Sequence, residues 1–369
     1  MKILIIAYPN LNKDPRPYRQ IKALYKNHDV YSIGGGPSGL EKKFYYLNKH
    51  KFYFEIFRLF LLKLGLYKKY YWDIHKKRIL KETSSFSFDL IIAHEIRLVP
   101  LAYKIGKEKT PIILDAHEYS PKNFDDSLLW RFFIKKYYTK LCSIYIPKLK
   151  KLITVSQGIV EEYRKEFGAD AILITNACEY VDDLQPKQVN FNKIKIIHHG
   201  IASSSRRLEL LIEMMEHLDD NYELNLMLVS STYREFYIKK LRKLAKGKNI
   251  NFLKPVSKAQ LVTFSNDFDI GIHFVPPTNF NLKYGLGNKF FEYIQSRLAI
   301  AIGPDIEMSR YVNKYDLGMI SKEWTSESLA STIKNTNAKK LMYYKNQSHK
   351  FAKELSSLKN DKEFLKLIK

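Results

Sequence analysis

The chain has 369 residues, 45% of them hydrophobic, with 15 Gly and 13 Pro; at roughly 150 residues per domain this suits two folded cores and exceeds one small binding module. Sixty-two Lys and Arg against 38 Asp and Glu leave a formal charge of +24. Such a field favours a phosphate-bearing partner (nucleic acid, anionic lipid or a nucleotide), although a Lys-rich solvated surface gives the same sum. Two cysteines, Cys142 and Cys178, are too few for a disulfide framework and lack metal-ligand spacing, as expected of a reducing, cytoplasmic setting.

The run Met1 to Ala7 has one basic residue and five apolar ones before Tyr8-Pro9, which is short for a signal peptide and reads as a first strand. From there apolar runs of strand length alternate with longer helical patterns, the pattern of a parallel α/β sheet. Strands are expected at 2–8, 28–33, 89–93, 111–115, 152–155 and 171–174, and helices at about 16–27, 96–108, 125–146 and 157–167. The rhythm restarts near Ile194. Strands follow at 194–199, 223–229, 250–253, 269–273, 298–302 and 317–320, with helices at about 206–218, 232–246, 258–266, 288–296, 306–313 and 325–335. The expected architecture is two Rossmann-like, doubly wound domains, residues 1–180 and 181–339, joined by the mostly polar stretch Glu179 to Lys193. A last helical segment, 340–369, is expected to pack back toward the N-terminal domain. No uncharged apolar stretch of about 18 residues is present, so no spanning helix is expected.

Residues 41–80 break the rhythm, with 11 Lys or Arg, three acidic residues and 12 aromatics, among them Phe52, Phe54, Phe57, Phe60, Tyr70, Tyr71 and Trp72. On a helical wheel Lys51, Glu55, Arg58 and Lys69 share a face, while Phe57, Phe60, Leu64 and Tyr71 gather opposite. This predicts a basic aromatic helical insertion that either packs on its own sheet or lies on a membrane interface. The stretch Trp130-Arg131-Phe132-Phe133-Ile134-Lys135-Lys136-Tyr137-Tyr138 is similar, which suggests one shared surface.

In open parallel sheets ligands bind beyond the carboxyl ends of the strands, so two such domains point to a cleft between them. Polar clusters fall at those ends: His94-Glu95, Asp115-Ala116-His117-Glu118 and His198-His199-Gly200. No second histidine lies one helical turn from either His-Glu pair, so no metal site is expected. Two helix starts suit anions. Gly200 to Arg207 is a small-residue loop with two arginines, and Tyr284-Gly285-Leu286-Gly287-Asn288-Lys289 runs into a helix expected to be capped by Asn288. Amides there, with Lys289, could hold a diphosphate, leaving Glu292 to accept hydrogen bonds from a ribose.

These motifs, with Phe252-Leu253-Lys254-Pro255-Val256, Asp269-Ile270-Gly271-Ile272, Asn288-Lys289-Phe290-Phe291-Glu292-Tyr293 and Leu298-Ala299-Ile300-Ala301, occur in the order seen in one protein family. The chain resembles the GT-B glycosyltransferases, specifically the large retaining family 4. The N-terminal half agrees through Asp14-Pro15-Arg16, Asp115-Ala116-His117-Glu118, Thr154-Val155-Ser156 and Asn176. The resemblance covers nearly the whole chain apart from 41–80 and the tail. It implies transfer of a sugar, with retention and without a metal or other cofactor, from a nucleotide-diphosphate donor to a saccharide or lipid-linked acceptor, as in bacterial capsule, O-antigen or exopolysaccharide synthesis.

The same resemblance implies that Arg206, Gly200, Gly287, Asn288 and Lys289 hold the diphosphate, Glu292 the ribose, and the Val256 backbone the base. His117 would lie over the donor sugar, making His117, Arg206 and Glu292 the catalytic set, with Asp14, Arg16 and His94 on the acceptor side. Two departures stand out. Tyr284 occupies the position where many members carry a second glutamate, and Pro9-Asn10-Leu11-Asn12 replaces the glycine pair of the first loop. Alternatives are a sugar-nucleotide epimerase of the same fold, which would need proton-transferring carboxylates at the sugar, and a basic nucleic-acid-binding protein, for which no zinc-finger, KH or RRM pattern is present. The charge divides into +14 in residues 1–180 and +10 in 181–369, with +8 in 41–80 alone. That concentration points to peripheral contact with an anionic membrane at its cytoplasmic face, and away from nucleic acid.

Overall fold

The computed structural model describes residues 1–48, 52–229 and 235–368; the side chains of residues 52–57 are outside that description. The chain divides into two compact units, one of Met1–Thr175 with Asn279–Asn281 and Asp361–Lys369, the other of Asn176–Thr278 with Leu282–Asn360.

The first unit is built on seven parallel strands, β1 (Lys2–Ile6), β2 (Asp29–Gly34), β3 (Lys43–Tyr46), β4 (Leu90–His94), β5 (Ile112–Asp115), β6 (Lys151–Thr154) and β7 (Ala171–Leu173), in the order β3-β2-β1-β4-β5-β6-β7. The second has six, β8 (Ile194–Ile201), β9 (Tyr222–Val229), β10 (Ile250–Leu253), β11 (Ile270–His273), β12 (Ala299–Ile302) and β13 (Gly318–Ile320), in the order β10-β9-β8-β11-β12-β13. Both orders reverse once, between β1 and β4 and between β8 and β11, which is the doubly wound arrangement with its switch point.

Burial on both faces explains why these strands read as continuous apolar runs. Ile3 to Ile6 and Leu90 to Ala93 are fully buried. In the second sheet alternate residues serve opposite cores: Ile196, Ala299 and Ala301 join one cluster, Ile197, Ile300 and Ile302 the other.

Twelve of the thirteen strands among the described residues coincide with expected ones. The missed strand is β3, which pairs in parallel with β2 at the sheet edge and lies inside the segment read as a helical insertion. Its residues Lys-Phe-Tyr-Tyr alternate too briefly, among lysines, to separate strand from helix. The segment continues with helices Phe52–Lys63, Tyr67–Tyr71 and Ile74–Thr83. Lys51 lies outside the described residues, as do the side chains of Phe52, Phe54, Glu55 and Phe57.

The expected division into polar and apolar helix faces does not hold here. Arg58 is buried, its guanidinium bonding the Tyr70 carbonyl and lying 3.6 Å from Asp73. Tyr71 is buried as well, donating to the Arg97 carbonyl and accepting from the Leu101 amide, both at 2.9 Å. Phe60 and Leu64 are exposed, at 58% and 71%. A turn at Gly65, with φ of +71°, ends the first of these helices, so one wheel cannot describe residues on both sides of it.

The segment meets the second aromatic stretch directly: Phe60 packs edge-on to Phe133 with centroids 5.9 Å apart, and Lys63 lies over the Phe132 ring. That stretch is a π-helical turn, Trp130–Ile134, leading into the helix Lys135–Tyr145, where one helix over 125–146 was expected. Likewise the tail forms two helices, Ala338–Phe351 and Ser357–Ile368. Phe364 and Ile368 of the second are buried in the core of the first unit, beside Ile3 and Ile5. The helix expected at 232–246 is described from Glu235 to Leu244, and residues 232–234 lie outside the described residues.

Candidate active site

Polar groups collect at the carboxyl ends of both sheets, and each sheet builds its own cluster. In the second unit β8 ends in His198-His199-Gly200-Ile201. Gly200 has a φ of +126°, a region L side chains avoid. A Cβ there would collide with the Lys289 Cε, 2.9 Å from its Nζ, and would lie 3.5 Å from Nη1 of Arg206. The ammonium and the guanidinium therefore converge on the backbone at Gly200, and only glycine leaves them that space.

Lys289 and Glu292 sit in the first turns of the helix Asn288–Gln295. The expected cap is corrected here: Gly287, not Asn288, is the N-cap, it has no side-chain acceptor, and Asn288 is the first helical residue. The N–H groups at this helix start thus have no side-chain cap, which suits an anionic ligand. Gly287 lies against His273 at the end of β11, its Cβ position being 3.9 Å from the imidazole Cε1. Glu292 Oε2 stands 3.8 Å from Nε2 of the buried His199.

Tyr293 positions all of this. Its hydroxyl accepts from the His199 amide at 3.3 Å and donates to the Ile272 carbonyl at 3.2 Å, pinning the helix across the β8/β11 switch point. Its ring fills the space where Gly271 lacks a side chain.

Arg206 does not open the helix, as had been expected. It ends a 3-10 turn, Ser204–Arg206, and the α-helix begins at Glu209. Arg207, in the left-handed region at φ of +49°, separates the two. Arg206 reaches back to the Ile201 carbonyl at 3.4 Å. Val256 lies on the loop after β10, two strands from β8, so the structure does not bring it into the Gly200 cluster; it packs on the core below. Tyr284 ends the short helix Phe280–Tyr284.

Burial and the nearby Arg206 bring the Lys289 pKa down to about 7, against the pull of Glu292. Burial and Lys289 push His199 down to about 3, and the same two causes, with Arg206, hold His273 well below the usual imidazole range. A lysine whose pKa is lowered beside an arginine is a group whose charged form a nearby anion would favour.

The first unit gathers His94, Asp115 and His117 at the ends of β4 and β5. His94 Nδ1 and His117 Nε2 share a hydrogen bond of 3.0 Å, and Asp115 oxygens lie 3.9 Å and 4.0 Å from those nitrogens. Asp115 is fully buried and is spoken for by Arg16, whose Nε donates to both carboxylate oxygens at 2.9 and 2.8 Å, and by Gln20. Burial opposes ionisation of Asp115, but Arg16, His117 and His94 outweigh it and hold the carboxyl well below its ordinary range. His117, by contrast, is pushed down to about 3 by burial and by Arg16 and His94, more than Asp115 can offset. It is a neutral hydrogen-bonding group whose side chain is 25% exposed.

The ligand atoms of His94, Asp115 and His117 lie within 4.8 Å of one another, close enough for a metal. The Arg16 guanidinium lies 2.8 Å from Asp115 in the same cluster. The roles expected for Asp14 and Arg16 need revision. Asp14 caps the helix Pro15–Leu24 by accepting from the Arg16 amide at 3.2 Å. Arg16, buried, ties Asp115 to the Ile174 and Thr175 carbonyls at 2.9 and 3.2 Å. Both hold the site together from behind. His273 and Tyr293 were assigned no role from sequence; the position of His273 at the end of the strand beside β8 was the available signal.

No protein-family model and no curated protein sequence matches the chain. Solved structures do. HepE of Anabaena in complex with UDP-glucose superposes at a TM-score of 0.72, with 12% identity over 100% of this chain and 99% of that one. Sucrose-phosphate synthase of Thermosynechococcus elongatus gives 0.76 at 10% identity, covering 100% and 98%. A glycosyltransferase of Rickettsia africae gives 0.70 at 14% identity, covering 99% and 97%. With two parallel, doubly wound sheets and end-to-end likeness to these proteins, the chain has the GT-B fold of the glycosyltransferases it resembles.

Proposed function

We propose that the protein is a retaining, metal-independent glycosyltransferase that takes a sugar from a nucleotide-diphosphate donor. The observation that carries this reading is the convergence of Lys289 and Arg206 on Gly200, beside an uncapped helix start and Glu292. A nucleoside diphosphate leaving group gains negative charge as the glycosidic bond breaks. Two cations and helix amides held in place before the reaction stabilise that charge without reorganisation, doing by side chains what a divalent cation does elsewhere. Glu292 accepts hydrogen bonds from the ribose, the Val256 backbone meets the base, and neutral His117 hydrogen-bonds the donor sugar. HepE was solved with UDP and with UDP-glucose, which makes UDP-sugars the first donors to try.

The acceptor in this proposal is a saccharide or lipid-linked saccharide of a bacterial surface polysaccharide, reached from the cytoplasmic face of the membrane. Support comes from the exposed apolar side chains Phe60, Leu64, Leu128, Leu129 and Phe132, set among Lys63, Arg131, Lys135 and Lys136. Among the described residues no helix is long and apolar enough to cross a membrane. An interfacial contact needs both elements, apolar side chains to insert and cations for the headgroups.

A thermal-shift panel of nucleotide-sugars tests the donor, because a ligand of the folded state raises the melting temperature. Glu292→Ala and Arg206→Ala are expected to abolish transfer in a folded protein, and wild-type rates in both would refute the site. Vesicles with anionic lipid are expected to recruit the protein, less so at high salt; equal recruitment by neutral vesicles would refute the electrostatic contribution.

A further inference from the structure

A groove of about 510 Å³ in the first unit is lined by the helices Tyr67–Tyr71 and Lys135–Tyr145, a volume in the range of small-ligand sites. The second helix contributes Tyr137, Lys140, Leu141, Ile144 and Tyr145, spaced three and four apart and therefore on one face. From Tyr137 to Tyr145 that face runs about 12 Å at the helical rise of about 1.5 Å per residue. Tyr67 lies against Tyr137 with ring centroids 5.3 Å apart, and Trp72 and the buried Pro100 complete the wall. Tyr71, buried in the same wall, has its hydroxyl satisfied by the Arg97 carbonyl and the Leu101 amide, both at 2.9 Å. Leu66 and Ile144 are each 39% exposed, so the groove opens to solvent there.

The charged side chains along the groove are all cations. Lys68, Lys69 and Lys140 line it, and Lys140 is shared with an adjoining pocket on the same helix that holds Arg131, Lys135 and Lys136. None of these six makes an ion pair among the described residues; Lys140 lies over the Tyr67 ring at 4.9 Å. Glu108, which acts on Tyr145, is already paired with Lys104 at 2.7 Å. An apolar trough beside unpaired cations fits a molecule that is hydrocarbon along its length and anionic at one end. A free phosphate or a nucleotide would leave the Leu141, Ile144 and tyrosine surface in water. A peptide would bring backbone N–H and C=O groups to a wall of helices whose own backbone groups bond within the helix, leaving them no partners.

We infer that this groove binds one anionic phospholipid, an acyl chain lying along the face from Tyr137 to Tyr145 and the phosphate held among Lys68, Lys69 and Lys140. This goes beyond the interfacial contact proposed above: a single lipid is held in a groove of its own, and no bilayer is needed to hold it. The inference rests on that contact only for the source of the lipid. Exposed Leu64 and Phe132 stand on the same two segments, which puts membrane lipid within reach of the groove. It does not depend on the glycosyltransferase reading.

Calorimetric titration of the full-length protein with monomeric decyl phosphate, decanol and methyl phosphate tests this. Decyl phosphate is expected to bind at one site, about a hundredfold or more tightly than methyl phosphate, which lacks the chain, and about tenfold more tightly than decanol, which lacks the charge. Equal binding of all three, or none, overturns the proposal. Geranyl phosphate, of the same chain carbon count less the branches, serves as the isoprenoid comparison; if it binds about tenfold more tightly than decyl phosphate, phospholipid is overturned as the occupant. A decyl phosphate brominated at the chain end is expected to quench Trp72 fluorescence, and Trp72→Phe, which removes one of three tryptophans, to abolish that quenching; equal quenching in both overturns the placement. Ile144→Glu, at a half-exposed position, is expected to keep the melting temperature and lose decyl phosphate binding, and unaltered affinity overturns the groove. Should it fail to fold, Leu66→Glu makes the same test. Recruitment by anionic vesicles without decyl phosphate binding refutes the groove alone, whereas decyl phosphate binding without vesicle recruitment refutes the membrane contact and with it phospholipid as the source.

Discussion

Lys289 offers the sharpest test of the donor site, because its charge in the free protein is only half present at neutral pH. Burial and Arg206 bring its pKa to about 7; a diphosphate seated between the two cations would return it to the ordinary value of about 10.4 or above. Wherever the free lysine is neutral and the bound one charged, binding must take up a proton. The contribution of Lys289 to UDP affinity is therefore full about one unit or more below pH 7, half present at pH 7 and lost above it. The linkage relation gives a decline of about 50-fold from pH 7 to pH 9 and an uptake of about 0.9 proton per UDP at pH 8. Calorimetry in two buffers of different ionisation enthalpy measures that proton directly. Lys289→Met should abolish the uptake and weaken UDP about 10- to 100-fold at pH 7, the worth of a charge-assisted hydrogen bond of about 1.5–3 kcal/mol. Arg206→Met should move the decline to higher pH by removing a like charge. No proton uptake by the native protein at pH 8, or the same uptake by Lys289→Met, would refute the reasoning.

Other consequences are equally direct. Arg16→Met leaves Asp115 buried without its cation and should destabilise the N-terminal unit by about 3–5 kcal/mol in urea unfolding; a neutral result would show that Asp115 is not held ionised. Gly200→Ala combines a backbone cost of about 1–3 kcal/mol at φ of +126° with displacement of Lys289. Its UDP affinity should fall while the fold persists. His117 and His199 both titrate near 3 when folded, below the usual value, so the unfolded chain binds more protons below pH 6.5. Their stabilising effect is complete above pH 6.5 and should be lost on acidification by about 2 kcal/mol each at pH 5. Acid titration of the melting temperature measures it, and a flat profile between pH 6.5 and 5 would refute their neutrality.

What the amino-acid order determined by itself was the sheet scaffold and the neighbourhood of the site. Strands buried on both faces read as short apolar runs, and parallel connections force helices between them, so the fold class followed from alternation alone. The glycines and cations near the strand ends were legible for the same reason, since a parallel sheet presents its ligand at a known edge. The tertiary structure decided which of these groups meet. Lys289 and Arg206 are 83 positions apart in the chain, and only the approach of the helix at Asn288 to Gly200 makes them one cationic site. Arg16 looked like an acceptor contact until Asp115 and the end of β7 claimed its guanidinium, and nothing local to Arg16 announces partners 99 and 158 positions away. The 41–80 segment shows the limit most clearly. Its aromatics and lysines were read as two faces of a helix, yet among the described residues a strand, a glycine turn and a buried Arg58–Asp73 pair interrupt that pattern. Helical spacing records which residues are neighbours along one element, whereas burial depends on what that element packs against.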